Sequence, residues 1–170
     1  MTRLPYTKLA PEAYEKLSAL GHYLTTGTAL EPVLLGLVYL RASTVNGCGF
    51  CIGMHKAELQ EHHEPQGRID AVARWQESNA FTLRERAALA WTDTITNIQS
   101  SHASDAEYAA VKQFFDGKDL VDLTYAIVQI NAWNRLSIAF AGKWDPQKHK
   151  ENEIAETSAV GDDGGKVAED

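Results

Sequence analysis

The chain has 170 residues, 44% of them hydrophobic, and carries 16 Lys and Arg against 23 Asp and Glu for a formal charge of -7. That much apolar material supplies one core in a single domain without disulfide staples, and an acidic balance with no Lys/Arg cluster excludes nucleic acid as an expected partner. No apolar run reaches the roughly 18 residues of a membrane span and Met1–Pro5 opens no signal-peptide run, so a soluble, cytoplasmic protein is expected.

Helical periodicity dominates the whole chain, which has only five prolines and no alternating β-branched run, and the expected fold class is all-α, a compact single-domain bundle of six to seven helices. A first helix is predicted over about 11–23, with Pro11 and Glu12 at its start. A second begins near Glu31-Pro32 and carries Val33, Leu34, Leu37, Val38 and Leu40 to Ser43, where Asn46-Gly47 supplies residues that tolerate a left-handed stop. The third follows at once, from Cys48 or Gly49 to Glu61. After a loop over 62–67, a short helix is expected over 68–77. Thr82-Leu83-Arg84-Glu85 is a capping-box pattern opening a helix over 83–98, and Ser104 to Glu107 is a second one opening a helix to Phe115. The last helix, about 120–141, reads as apolar nearly all round and therefore buried centrally or in a subunit interface. The domain is expected to span 1–144. From Asp145 the apolar period disappears, and 145–170 reads as a disordered acidic tail.

Both cysteines lie in Cys48-Gly49-Phe50-Cys51, with His55 four residues further on. Positions 48, 51 and 55 share one helix face, so two sulfurs and an imidazole converge on a small volume. Thiolate, not thiol, attacks a peroxide or a disulfide, and a free thiol near pKa ~8.5 is only a few per cent ionised at neutral pH. A helix N-terminus favours the thiolate, and a His at i+4 is placed to take the proton of Cys51. The neighbouring Cys can then condense with a sulfenic acid to give a disulfide. Zinc is the competing reading, with Cys48, Cys51 and His55 as ligands and His62 or His63 as a fourth, but structural zinc serves small domains that lack a core. By their types alone, Asn131, Asn134 and Arg135 read as a buried hydrogen-bond network or subunit contact, and Trp75, Trp91, Trp133 and Trp144 as packing anchors.

The run Leu40-Arg41-Ala42-Ser43-Thr44-Val45-Asn46-Gly47-Cys48-Gly49-Phe50-Cys51-Ile52-Gly53-Met54-His55 resembles the core of the alkylhydroperoxidase D-like proteins of the carboxymuconolactone decarboxylase superfamily. Trp75 to Ser78, Phe81 to Trp91 and Ile130 to Arg135 extend the likeness over roughly residues 3–143. The resemblance implies an antioxidant thiol peroxidase without cofactor or metal, reducing an organic hydroperoxide through a Cys48/Cys51 dithiol–disulfide cycle. It implies Cys51 as peroxidatic thiol, Cys48 as resolving thiol and His55 in a proton relay, where the helix dipole alone would favour Cys48 as the attacking thiol. It further implies a dithiol reductant of lipoyl type and a homo-oligomer, hexamer or trimer.

Two positions depart from the family pattern. The relay glutamate expected twelve residues before the first Cys is Gly36, and the residue between the cysteines, polar or His in many members, is Phe50. Glu31 lies about 140° away from Gly36 around the helix and cannot substitute. Glu58, i+3 from His55, is the local candidate for the relay, with Glu85 and Asp93 as candidates from another helix. The alternatives are a non-catalytic helical oligomer or redox sensor with a reversible disulfide and, in another class, a decarboxylase-type lyase acting on a lactone acid.

Overall fold

Proline at the first helical position starts both long N-terminal helices in the computed structural model, which describes residues 3–147. Its fixed φ suits a first turn, and the N–H it lacks has no partner there. After a four-residue turn of helix α1 (Tyr6–Leu9), α2 runs Pro11–Thr26 and α3 Pro32–Asn46. α2 outlasts its expected end because Thr25 and Thr26 turn their hydroxyls back to donate to the carbonyl of His22, which keeps them compatible with a last helical turn.

α4 spans Gly49–Glu61 and α5 Gln66–Ala71. The expected helix over 68–77 divides at this point: Val72–Glu77 continues as a 3-10 helix, with Arg74 off helical geometry at φ -130° and ψ 47°. α6 covers Leu83–Thr96 and α8 Asp105–Lys112, both opened by the capping boxes read from the sequence, Thr82 with Glu85 and Ser104 with Glu107. Asn97 breaks the helix expected to reach residue 98, and a separate turn, α7 (Ile98–Ser101), follows. α9, Gly117–Ala139, begins three residues earlier than expected. The two four-residue pieces α1 and α7 bring the seven anticipated helices to nine among the described residues, all of whose regular elements are helical. The expected acidic tail lies, from residue 148 onward, outside the described residues.

α3 is the shared wall of the structure. Leu34, Leu35 and Val38 pack with Leu24, Trp91, Phe115, Leu123 and Ile127 from α2, α6, the end of α8 and α9. Leu37 and Leu40 face Leu59, Ile69, Val72 and Leu89 on the other side. Each fully buried Leu or Ile contributes about 1.5–3 kcal/mol relative to exposure. The helix buried on most sides is therefore α3. α9 buries Leu120, Leu123, Ile127 and Ile130 but leaves Val121, Tyr125, Val128 and Ile138 about half exposed in the single chain. No described helix is long and apolar enough to cross a membrane.

Trp75 and Trp91 are buried as anticipated. Trp133 meets the Tyr14 ring edge-on, and Trp144 meets Phe50. The Trp144 indole rests directly on Gly53, where a Cβ would come within 2.3 Å of the ring.

Candidate functional site

Gly47, in the left-handed region at φ 69°, ends α3 and folds α4 back along it. A non-glycine residue would be strained there. Its N–H caps the helix through the carbonyls of Ser43 and Thr44, and the N–H of Cys48 also donates to Ser43 at 3.0 Å. The two helices then lie antiparallel, in a register that sets Gly36 against Leu59 and the Tyr39 ring 5.3 Å from the His55 ring.

Cys48 is the N-cap of α4 and its sulfur accepts the N–H of Cys51 at 3.4 Å. The two cysteines are joined as a disulfide, with Cα atoms 5.4 Å apart. Both are only 1% exposed, because the face that carries them, His55 and Leu59 turns inward against α3.

His55 is 4% exposed. Its Nδ1–H donates to Glu58 Oε2 at 2.6 Å, while the Glu58 side chain reaches partial solvent at 39% exposure. A carboxylate on Nδ1 fixes the tautomer and leaves Nε2 with its lone pair free to act as base. Among the described residues, His55 Nε2 and Tyr39 Oη are the buried side-chain atoms without a hydrogen-bond partner. Burial, and after it the negative charge of Glu58, push the Tyr39 phenol well above its ordinary pKa, so it stays protonated.

Behind the thiol end, the polar residues of α9 form one network with α3. Asn46 Nδ2 donates to the side-chain oxygens of Asn131 and Asn134, each at 2.9 Å, and Asn134 Nδ2 donates to Ser43 Oγ at 3.0 Å. Asn131 reaches Thr96, and Arg135 donates back to Asn131. Each buried amide is thereby matched, which ties the last turn of α3 to α9 and fixes where the thiol turn begins.

Of the three carboxylates considered for the relay, the structure brings Glu58 alone to His55. Glu85 is held by Arg68 and Thr82, and Asp93 receives Arg41 at 2.5 Å and the Trp75 indole at 3.1 Å. His62 and His63 are exposed, and the described residues contain no group of three or more His, Cys, Asp and Glu arranged for a metal ion. Tyr39 was not singled out from the sequence. Its only signal is a phenol interrupting an apolar helix one turn after Gly36.

Residues 11–94 match the model of the carboxymuconolactone decarboxylase family. The uncharacterized protein YdfG of Bacillus subtilis is 34% identical over 141 residues, covering 83% of this chain and 95% of its own. A crystal structure from Agrobacterium tumefaciens, of unknown function and described as a candidate antioxidant defence protein AhpD, superposes with a TM-score of 0.82 at 35% identity, covering 85% of this chain and 99% of that one. The alkylhydroperoxidase AhpD core of an uncharacterized peroxidase-related protein from Ralstonia eutropha shares the fold, with a TM-score of 0.73 at 19% identity over 83% of this chain and 75% of that one.

Proposed function

We propose, starting from the fact that the chain belongs to the carboxymuconolactone decarboxylase family as an AhpD-like member, that it is a thiol peroxidase that reduces organic hydroperoxides. The observation that carries the proposal is the His55–Glu58 pair, its imidazole buried on the same helix face as the disulfide-forming cysteines. In this reading Nε2 of His55 takes the proton of the Cys51 thiol. The thiolate attacks the distal oxygen of the hydroperoxide, the O–O bond breaks, and the leaving alkoxide takes the proton from His55 and departs as an alcohol. Cys51, now a sulfenic acid, condenses with the Cys48 thiol, releasing water and forming the disulfide. A dithiol, of lipoyl type by family likeness, reduces it by two successive exchanges and leaves as its own disulfide. Glu58 stands in for the carboxylate that Gly36 does not supply, acting through His55 as a positioning residue.

We place this cycle in a homo-oligomer, hexamer or trimer, in the cytoplasm. The half-exposed Val121, Tyr125 and Val128, one face of α9, support a subunit contact. The experiment that tests the function is consumption of cumene hydroperoxide by the reduced protein with dihydrolipoamide as reductant. Turnover abolished by Cys51→Ser supports it, and no turnover in the unaltered protein overturns it.

A second reading, a redox sensor that cycles its disulfide without efficient turnover, is favoured by the near-complete burial of both sulfurs. It expects stoichiometric disulfide formation with hydroperoxide but slow re-reduction.

A further inference from the structure

The disulfide end of α4 is held from two opposite sides. Cys51, His55 and Leu59 are buried on the face turned to α3. Gly53 is two residues from Cys51 and two from His55, about 200° round the helix from each, so it lies on the outer face. There the Trp144 indole sits on it so closely that a Cβ would come within 2.3 Å of the ring. The same indole meets Phe50, the residue between Gly49 and Cys51, edge-on with ring centroids 5.9 Å apart. We propose that residues 142–145 are a latch over the disulfide turn, and that Trp144 must leave Gly53 before an external dithiol reaches either sulfur.

The burial of the sulfurs is the first support. Cys48 and Cys51 are each 1% exposed, and exchange needs a thiolate within bonding distance of one of them. The first turn of α4 therefore has to move. Its inner side is closed by α3, whose last turn is tied to α9 through Asn46, Asn131 and Asn134, so the displacement that uncovers the sulfurs is outward. Gly53 travels outward with that turn, into an indole that leaves no room for even a methyl group. The indole thus acts on the disulfide through the helix, by way of Gly53 and Phe50.

The second support is how the segment is attached. α9 ends at Ala139, and Ala141 takes the left-handed conformation at φ 54°, which few residues other than glycine adopt. The base of the latch is fixed: the Phe140 carbonyl accepts the Arg3 N–H at 3.0 Å, the Phe140 ring stacks on Tyr6, and the Gly142 N–H donates to the Ser137 carbonyl at 2.8 Å. Beyond that base Lys143, Asp145 and Pro146 are exposed, and Trp144 is partly buried. A segment pinned by one aromatic side chain opens locally at little cost and leaves the rest of the bundle folded.

The test is reduction of the oxidised, full-length protein by dithiothreitol, quenched with a maleimide and read by mass spectrometry as doubly alkylated protein. One dithiothreitol thiolate attacks a protein sulfur, the S–S bond breaks, and the second dithiothreitol thiol resolves the mixed disulfide. Two electrons and two protons pass to Cys48 and Cys51, and the reagent leaves as its cyclic disulfide. Trp144→Ala is expected to speed reduction about five- to thirtyfold, the range set by the loss of one aromatic contact. Gly53→Ala should do the same from the other side, because its methyl group unseats the indole and leaves Trp144 in the chain. The double variant should be no faster than either single one, since both remove the same contact. An unchanged rate in either single variant would overturn the proposal. So would gains that multiply in the double variant, which mark general loosening of the fold in place of one shared latch. No hydroperoxide enters the measurement, so the outcome is separate from that of the peroxidase reading.

Discussion

Nδ1 of His55 and Oε2 of Glu58 lie 2.6 Å apart across one turn of α4, which sets a carboxylate on the imidazole within the helix that carries the cysteines. In Glu58→Gln the imidazole keeps a hydrogen-bond partner but no longer faces a carboxylate. Hydroperoxide turnover at pH 7 is expected to fall about ten- to a hundredfold, and to recover with rising pH as Cys51 ionises without the relay. A rate profile over pH 6 to 9 that keeps its unaltered shape would show that Glu58 has no part in the relay. Glu58 is partly exposed, so the melting temperature should hardly move.

The second prediction separates the two sulfurs. With Cys48→Ser, hydroperoxide should carry Cys51 through sulfenic to sulfinic acid, because no neighbouring thiol condenses with it. Mass spectrometry then reads a gain of two oxygens on Cys51, where the unaltered protein loses two hydrogens across the pair. Over-oxidation confined to Cys48 in the reciprocal variant Cys51→Ser, with Cys51 inert in Cys48→Ser, would reverse the roles.

Restoring the family's relay glutamate by Gly36→Glu is expected to destabilise the protein and bring no gain in rate. A Cβ at position 36 would stand 2.8 Å from Cδ2 of Leu59, which is fully buried, so overpacking should cost about 1–3 kcal/mol. Denaturant unfolding measures it. Pairing the substitution with Leu59→Ala should not add a second full penalty, since the two sites share the same space. Higher turnover from Gly36→Glu alone would mean that Glu58 leaves the relay incomplete.

Acid stability should depend on Glu85. Burial alone would raise the pKa of this carboxyl, but hydrogen bonds from Arg68 and Thr82 and the Arg68 charge outweigh it and hold it below the ordinary carboxylate value. A group whose folded pKa is depressed contributes stability above its unfolded pKa, near ~4.3, and loses it as pH falls through the folded value. Glu85→Gln should therefore flatten the decline in melting temperature below about pH 4.5 while lowering stability at pH 7. Parallel curves for the two proteins would contradict the assignment.

For assembly, light scattering should report a homo-oligomer that Tyr125→Glu, a charge placed within the exposed apolar face of α9, converts to smaller species. A monodisperse monomer in the unaltered protein at micromolar concentration would remove the subunit contact from the account.

What the sequence disclosed here was whatever one helix contains. Cys48, Cys51, His55 and Glu58 sit within eleven residues of chain, so rotation by 100° per residue was enough to place them together, and the two capping boxes and two N1 prolines were equally local. The misses required knowledge of a second helix. Tyr39 joins the site only through the register that Gly47 imposes between α3 and α4, and the 2.8 Å approach at Gly36 follows from the same register. The apolar count of α9 suggested burial either centrally or in a subunit interface; its own chain leaves Val121, Tyr125, Val128 and Ile138 about half exposed, and hydrophobicity does not say which helix is central. The break at Asn97 came from competition by a side chain, whose amide donates to the Asp93 carbonyl and offers the backbone another way to end.

The antiparallel turn at Gly47 also orders events in time. Tyr39 meets His55 across a loop of sixteen residues, whereas the Gln129 amide finds the Leu17 carbonyl across 112. Closing the shorter loop gives up less chain entropy, and contacts of small sequence separation form fast. The hairpin that carries the cysteines and His55 is thus expected to form early and to serve as the template on which α2 and α9 dock. Substitutions at the Tyr39–His55 contact should slow refolding as well as alter activity, while those at the Leu17–Gln129 contact should chiefly hasten unfolding.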